Sequence, residues 1–166
     1  MFLVDSNVLI EAKNRYYAFD IAPGFWAWLD YAHANHLVCS IDPVREELIE
    51  GGDELSVWAR NHADFFRPID AETTARFSPL TMWAQSKLYT AAALQEFLTD
   101  AADFYLVAYA AAHSHILVTH EQSRPEARKR VLIPDACKAM GVSYSDTFVM
   151  LRSTKARLDF QLPTAS

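Results

Sequence analysis

Short apolar runs alternate along this chain with longer stretches in which apolar residues recur at helical spacing. Such short runs, bounded by polar or turn-forming residues, are typical of strands that are buried on both faces of a parallel sheet. The pattern predicts strands at residues 2–4, 37–41, 116–119 and 131–133, and a weaker one at residues 142–144. It also predicts helices over residues 23–35, 43–61, 79–89, 100–114 and 146–155.

The alternation of strands and helices indicates the fold class. Strands separated by helices pack as a short, mostly parallel central sheet with helices on both faces, so we expect an α/β three-layer sandwich. A chain of 166 residues has the length of one ordinary domain. We therefore expect one domain over residues 1–154 and a C-terminal tail over residues 155–166, where the pattern fades.

The composition indicates a globular protein outside the membrane. Hydrophobic residues make up 51% of the chain and charged residues 22%, which excludes a disordered chain. The longest apolar run, residues 104–112, is well short of the roughly 20 residues that a membrane span needs. The N-terminus carries Asp5 where a secretory signal needs a basic and then an apolar stretch. We therefore expect a cytoplasmic protein with no membrane contact.

The balance of charge limits how the chain can bind nucleic acid. There are 15 basic and 21 acidic residues, for a net charge of −6. Proteins that coat nucleic acid by bulk electrostatics are normally basic, so that class is disfavoured. A single basic patch remains compatible with this balance, and so does a cluster of acids that binds a cation.

Polar residues directly follow the predicted strands. In open parallel sheets, ligands bind beyond the carboxyl ends of the strands, at a point where the strand order reverses. Asp5, Ser6 and Asn7 follow the first strand, and Thr119 and Glu121 come at the end of the third. Any of residues 5–7 is a favoured cap for the helix that begins there, but one cap is enough. For Glu121 the plain alternative is an exposed loop glutamate.

Glu47 lies at the edge of a buried helix face. Val44 and Leu48 belong to that face, and at ~100° per residue Glu47 lies about 60° from Val44. Glu46 lies on the far side of the helix, where we expect a solvated charge. The alternative for Glu47 is a boundary residue that reaches water or pairs with Arg45.

Asp103 begins an apolar, alanine-rich helix. Asp100 fits the N-cap of that helix, and either acid would complement the helix dipole. Asp103, however, shares its face with Leu106, Val107 and Ala110, so we expect its side chain to point inward.

Four carboxylates thus follow strands or face inward at helix starts: Asp5, Glu47, Asp103 and Glu121. Brought together, they would repel one another unless a cation joined them. Carboxylate oxygens suit Mg²⁺ or Mn²⁺ rather than zinc. A magnesium site of this kind retains waters and accepts phosphate oxygens, which is what phosphodiester hydrolysis requires.

The order of these motifs resembles that of a PIN-domain nuclease, the fold of VapC-like ribonuclease toxins. The resemblance lies in residues 2–10 (FLVDSNVLI), in a glutamate followed by a glycine at 47–51 (ELIEG), and in 102–108 (ADFYLVA) leading to 116–121 (ILVTHE). It covers roughly the first 150 residues, with motifs of moderate specificity. Residues 53–58 and 133–137 further resemble a PIN-like subfamily whose members are often encoded beside a helix-turn-helix antitoxin.

The resemblance implies a PIN-like fold and a metal-dependent endoribonuclease that leaves a 5′-phosphate and a 3′-hydroxyl. It implies that one or two Mg²⁺ or Mn²⁺ ions are held by the residues that are also catalytic: Asp5, Glu47, Asp103 and, as a fourth ligand, Glu121. Three polar neighbours would orient the acids or brace the first turn: Ser6, Asn7 and Thr119. Most of the family has aspartate where this chain has Glu121, and Asp135 is a further candidate ligand. A cognate antitoxin and a homodimer are the implied protein partners.

The dense basic cluster after Glu121 is the candidate RNA-binding segment. Its members are Arg124, Arg128, Lys129 and Arg130. The alternative is a solvated helix face with Glu126 interspersed.

Three other functional classes were weighed. A zinc site is disfavoured, because the histidines lack the spacing of zinc ligands and the two cysteines lie far apart. A haloacid-dehalogenase-like phosphatase needs a second aspartate two residues after the first, where this chain has Asn7. A PIN-like protein-binding module with a catalytically weak site remains open. The aromatic residues, Phe25, Trp26 and Trp28 among them, fit either the core or a protein interface.

Overall fold

The computed structural model describes residues 1–100 and 102–159, apart from the side chain of Asp100. Its strands form one parallel sheet in the order β3-β2-β1-β4-β5. The strands are β1 (Phe2–Val4), β2 (Val38–Ile41), β3 (Phe66–Arg67), β4 (Ile116–Val118) and β5 (Tyr144–Ser145). All four residues of β2 are buried, which requires cover on both faces of the sheet. The α/β prediction is confirmed.

Ten α-helices cover the sheet within the described residues. They are α1 (Ser6–Glu11), α2 (Pro23–Ala34), α3 (Asp42–Glu50), α4 (Glu54–Asn61), α5 (Ala71–Thr74), α6 (Phe77–Gln85), α7 (Ala91–Gln95), α8 (Ala102–His113), α9 (Ile133–Met140) and α10 (Thr147–Ser153). Turns of π-helix follow α1 and α7, at Ala12–Tyr16 and Glu96–Asp100. No helix in this part of the chain is long and apolar enough to cross a membrane.

The predicted strand at residues 131–133 is wrong. Val131 and Leu132 form a loop, and Ile133 is the first residue of α9. Pro134 lies in the first turn of that helix, where its fixed φ and missing N–H are tolerated. Val131 and Ile133 are buried all the same, so their apolar character reflects packing rather than strand pairing.

The helix predicted over residues 43–61 is two helices. Gly51 and Gly52 separate α3 from α4, and Gly52 has a φ of +68° that favours glycine. Asp53 then caps α4 by accepting hydrogen bonds from the backbone N–H groups of Leu55 and Ser56.

The C-terminal region is described as far as residue 159. Helix α10 ends at Ser153, and the Ala156 N–H donates to the Leu151 carbonyl at 2.9 Å. The tail predicted for residues 155–166 therefore lies partly outside the described residues, and the domain boundary at 154 stays a prediction.

Candidate active site

The strand order reverses between β1 and β4. From β1 the chain extends the sheet to β2 and β3 on one side, and it later adds β4 and β5 on the other. The Asp5 N–H donates to the Val118 carbonyl at 3.1 Å, so the ends of β1 and β4 are adjacent. Crevices at such reversals are where parallel sheets bind ligands.

Asp5 is fully buried at this point and caps α1. Its Oδ1 accepts hydrogen bonds from the Asn7 N–H (3.4 Å) and the Ser6 hydroxyl (3.3 Å), and its Oδ2 accepts one from the Thr119 hydroxyl (3.2 Å). Burial and then the charge of Glu121 raise the pKa of Asp5 to about 6. The capping role suggested by the sequence is thus present, in a far more buried setting than a cap requires.

Asp103 lies in the first turn of α8 and points inward, as the helical pattern predicts. Burial raises its pKa to about 8, and the charges of Asp5 and Glu121 raise it further. Arg130 opposes that shift. A buried carboxyl with like charges around it is characteristic of functional sites.

Glu47 is half-buried on α3, whereas Glu46 is exposed, as predicted. The Glu47 Oε1 accepts a hydrogen bond from the Ala102 N–H at 3.1 Å, at the start of α8. Its charge contributes to the raised pKa values of Asp5 and Asp103. The Arg45 side chain donates to the Ala59 carbonyl at 3.0 Å.

Glu121 connects the sheet edge to α9. Its Oε2 accepts a hydrogen bond from the Ile133 N–H at 2.8 Å. Its Oε1 is buried and lies 2.7 Å from the Arg130 Nη2, at ion-pair distance but without the alignment of a hydrogen bond. The same Nη2 lies 3.7 Å from the Asp103 Oδ2, so one guanidinium lies beside two of the four carboxylates.

The four carboxylates are close enough to shift one another's pKa, and all their donor atoms are oxygens. Together with the buried Glu121 Oε1, this donor set suits a hard divalent cation. Within residues 1–100 and 102–159, however, no three His, Cys, Asp or Glu side chains are grouped around one metal position. Shared coordination would require side-chain movement, including that of Arg130.

A cavity of about 730 Å³ adjoins Glu121. It is lined by His120, Glu121, Gln122, Arg124, Ala127, Arg128, Lys129, Arg130 and Leu132. All four members of the predicted basic cluster lie here and are exposed. The segment is a loop, so the alternative of a solvated helix face is wrong. The Thr90 N–H anchors the loop by donating to the Arg128 carbonyl at 2.8 Å.

Comparison with known families places this chain. The family described as "Domain of unknown function (DUF4411)" matches residues 2–158. The chain belongs to the DUF4411 family. A comparison of the DUF4411 chain with curated proteins finds no significant match.

Solved structures share the fold of this DUF4411 chain. VapBC2 from Rickettsia felis, bound to a DNA fragment from its promoter, has a TM-score of 0.54 at 13% identity, over 87% of this chain and 97% of that chain. FitAcB from Neisseria gonorrhoeae gives 0.52 at 20% identity, over 87% and 96%. FitAB bound to an IR36 DNA fragment gives 0.53 at 19% identity, over 88% and 94%. The expected PIN-like fold is confirmed.

Asp135 of the DUF4411 chain lies in a different set of contacts from the four acids. Its two oxygens accept hydrogen bonds from the Ser123 hydroxyl and from the Arg124 N–H, the latter at 3.0 Å. Lys138 Nζ donates to the Ser123 hydroxyl at 2.7 Å. These contacts hold the beginning of the basic loop against α9.

Two residues near the site were not found from the sequence. His120 Nδ1 lies 2.9 Å from the Glu11 Oε2, and its Nε2 lies 2.7 Å from the Thr147 hydroxyl. Neither Glu11 nor Thr147 belongs to a motif, and they are far apart in the chain, so no spacing signal links them. Phe25, Trp26 and Trp28 are buried in the core, in agreement with the core interpretation.

Proposed function

We propose that this DUF4411 protein is a Mg²⁺- or Mn²⁺-dependent endoribonuclease. The observation that carries the proposal is the burial of Asp5 and Asp103 at the β1/β4 reversal, with pKa values raised to about 6 and 8. Negative charge held in a buried cleft is costly unless a cation offsets it. The adjoining basic cavity supplies the complementary surface for an RNA backbone.

Asp5, Glu47, Asp103 and Glu121 would hold the metal. When bound, a divalent ion of this type lowers the pKa of a water and neutralises charge on the phosphate. The Ser6 and Thr119 hydroxyls fix the Asp5 carboxylate from two sides, while Asn7 braces it through its backbone N–H. The basic loop would bind phosphates on either side of the bond that is cut.

We further propose that the protein is the toxin of a toxin–antitoxin pair. The support is the shared fold with VapBC2 and FitAB, whose crystals contain DNA. A cognate antitoxin would then be its protein partner. Co-expression with the product of a neighbouring gene, followed by size-exclusion chromatography and growth assays, tests this assignment.

The decisive experiment is cleavage of RNA by the purified protein with Mg²⁺ or Mn²⁺. Changes to groups that only support metal ligands already cost ~10–100-fold, so we expect Asp5→Asn and Asp103→Asn to lose at least about a hundredfold. Glu47→Gln should also lose activity, whereas Glu46→Gln, one residue away and exposed, is the matched control. Cleavage that survives EDTA, or that survives both aspartate changes, would contradict the proposal.

A catalytically weak protein-binding module is the alternative. It is favoured by Arg130, which already offsets two of the four carboxylates without any ion. A module would bind its protein partner equally well before and after Asp103→Asn, and neither protein would cleave RNA.

A further inference from the structure

A second cavity, of about 530 Å³, opens beside the acidic cluster. It lies beyond the carboxyl ends of β4 and β5, and Thr119 and Glu121 line it. Residues 120–122 line both this cavity and the basic one. Its volume falls within the roughly 300–1,000 Å³ typical of small-ligand sites.

The walls of this cavity are aromatic. Tyr16 (56% exposed), Phe148 (54%) and Tyr144 (37%) leave much of their surface in solvent. Tyr17 anchors the wall, because its ring stacks on the buried Phe25 ring at 4.4 Å. Exposed aromatic rings gathered around one cavity are unusual for a packed surface and suit a flat ligand.

A chain of hydrogen bonds fixes the polar side of the cavity. His120 is held between the Glu11 carboxylate (2.9 Å) and the buried Thr147 hydroxyl (2.7 Å). Gln122 is exposed at the junction with the basic cavity, and its amide offers both a donor and acceptors. The cavity therefore combines stacking surfaces with oriented hydrogen-bonding groups.

We propose that this aromatic cavity binds one unpaired nucleobase of the RNA strand, which makes it a specificity site. The inference rests on the proposed function, because it takes RNA as the substrate. Single-stranded RNA is recognised by stacking splayed-out bases on aromatic side chains. A strand whose phosphates lie in the basic cavity is already next to residues 120–122, so an adjacent base can enter the aromatic cavity. The Arg152 guanidinium, 5.8 Å from the Phe148 ring centroid, adds positive charge at this wall.

The test measures binding without cleavage. Isothermal titration in EDTA compares AMP, GMP, CMP and UMP with ribose 5-phosphate, which has the phosphate but no base. We expect at least one nucleotide to bind at least about fivefold more tightly than ribose 5-phosphate, and Phe148→Ala or Tyr144→Ala to remove that advantage. Val149→Ala, an exposed neighbour on α10 outside the cavity lining, is the matched control and should bind like the wild type.

Equal affinity for nucleotides and ribose 5-phosphate would overturn the inference, as would base-dependent binding that Phe148→Ala and Tyr144→Ala leave intact. A cavity that instead receives an apolar side chain of a protein partner would give the first of these results. The two proposals fail separately. RNA cleavage without base-dependent binding removes only the nucleobase site, and base-dependent binding without metal-dependent cleavage removes only the nuclease.

Discussion

At Asp103, three features act on one carboxyl group. Burial and the neighbouring carboxylates disfavour its charge, and Arg130 favours it. The balance raises its pKa to about 8, so in the metal-free protein it carries a proton at neutral pH more often than a solvated aspartate does. The site is thus built for an additional positive charge.

This imbalance predicts how stability depends on pH. The carboxyl pKa is about 8 in the fold against 3.8 as the ordinary value, so the folded protein binds more protons than the unfolded chain between these limits. The free energy of unfolding of the metal-free protein should therefore fall as the pH rises from about 4 to 8. Asp103→Asn should flatten the curve and stabilise the protein at pH 8 by at least about 1 kcal/mol.

Urea unfolding in EDTA across this pH range measures the effect. Asp20→Asn, which replaces an exposed aspartate, is the control and should follow the wild-type curve. If Asp103→Asn ran parallel to the wild type at every pH, the raised pKa would play no part in stability.

Arg130 competes with any metal for the same carboxylates. Its Nη2 lies 2.7 Å from Glu121 and 3.7 Å from Asp103, and its side chain is half-exposed, so it can leave at modest cost. In Arg130→Gln, Mn²⁺ should bind at least about fivefold more tightly, because no guanidinium has to be displaced. Electron paramagnetic resonance of free Mn²⁺ measures the affinity. Arg128→Gln, in the same loop, controls for the loss of one charge, and an equal change in both variants would refute competition.

At the scale of elements, the sequence predicts what depends on local patterns. Strand β1 was found at its exact bounds and β2 and β4 within one residue, because each is a short apolar run ending in a polar residue. Strand β3 has two residues, too few to form a pattern. Residues 131–133 are equally apolar but open a helix, and only the proline in its first turn distinguishes them from a strand.

The same limit applies to the site. Asp5 and Thr119 follow strands, so the parallel sheet that the sequence predicts brings them together. The inward direction of Asp103 and the boundary position of Glu47 followed from helical spacing. The pairing of Arg130 with Asp103 and Glu121, and of His120 with Glu11 and Thr147, depends on loop conformations that no periodicity encodes.

At the scale of the whole molecule, opposite charges are separated over a short distance. The chain has a net charge of −6, yet an acidic cleft and a basic cavity meet at Glu121. The acids would hold a cation, and the basic loop would hold the polyanion that the cation acts on. A uniformly basic protein would bind RNA anywhere, whereas this distribution confines the RNA backbone to the edge of the cleft.

That confinement predicts the salt dependence of RNA binding. For single strands, each phosphate contact contributes ~0.7 to the slope of log K against log salt, so Arg124→Gln with Lys129→Gln should lower the slope by about 1.4. Arg128 is kept, because its guanidinium donates to the Pro125 and Ala127 carbonyls and holds the loop. Fluorescence anisotropy in EDTA with a labelled oligoribonucleotide gives the slope. The double change Arg60→Gln with Arg76→Gln removes the same charge outside both cavities and should leave the slope unchanged. Equal losses in both double variants would mean that net charge, rather than the basic cavity, attracts the RNA.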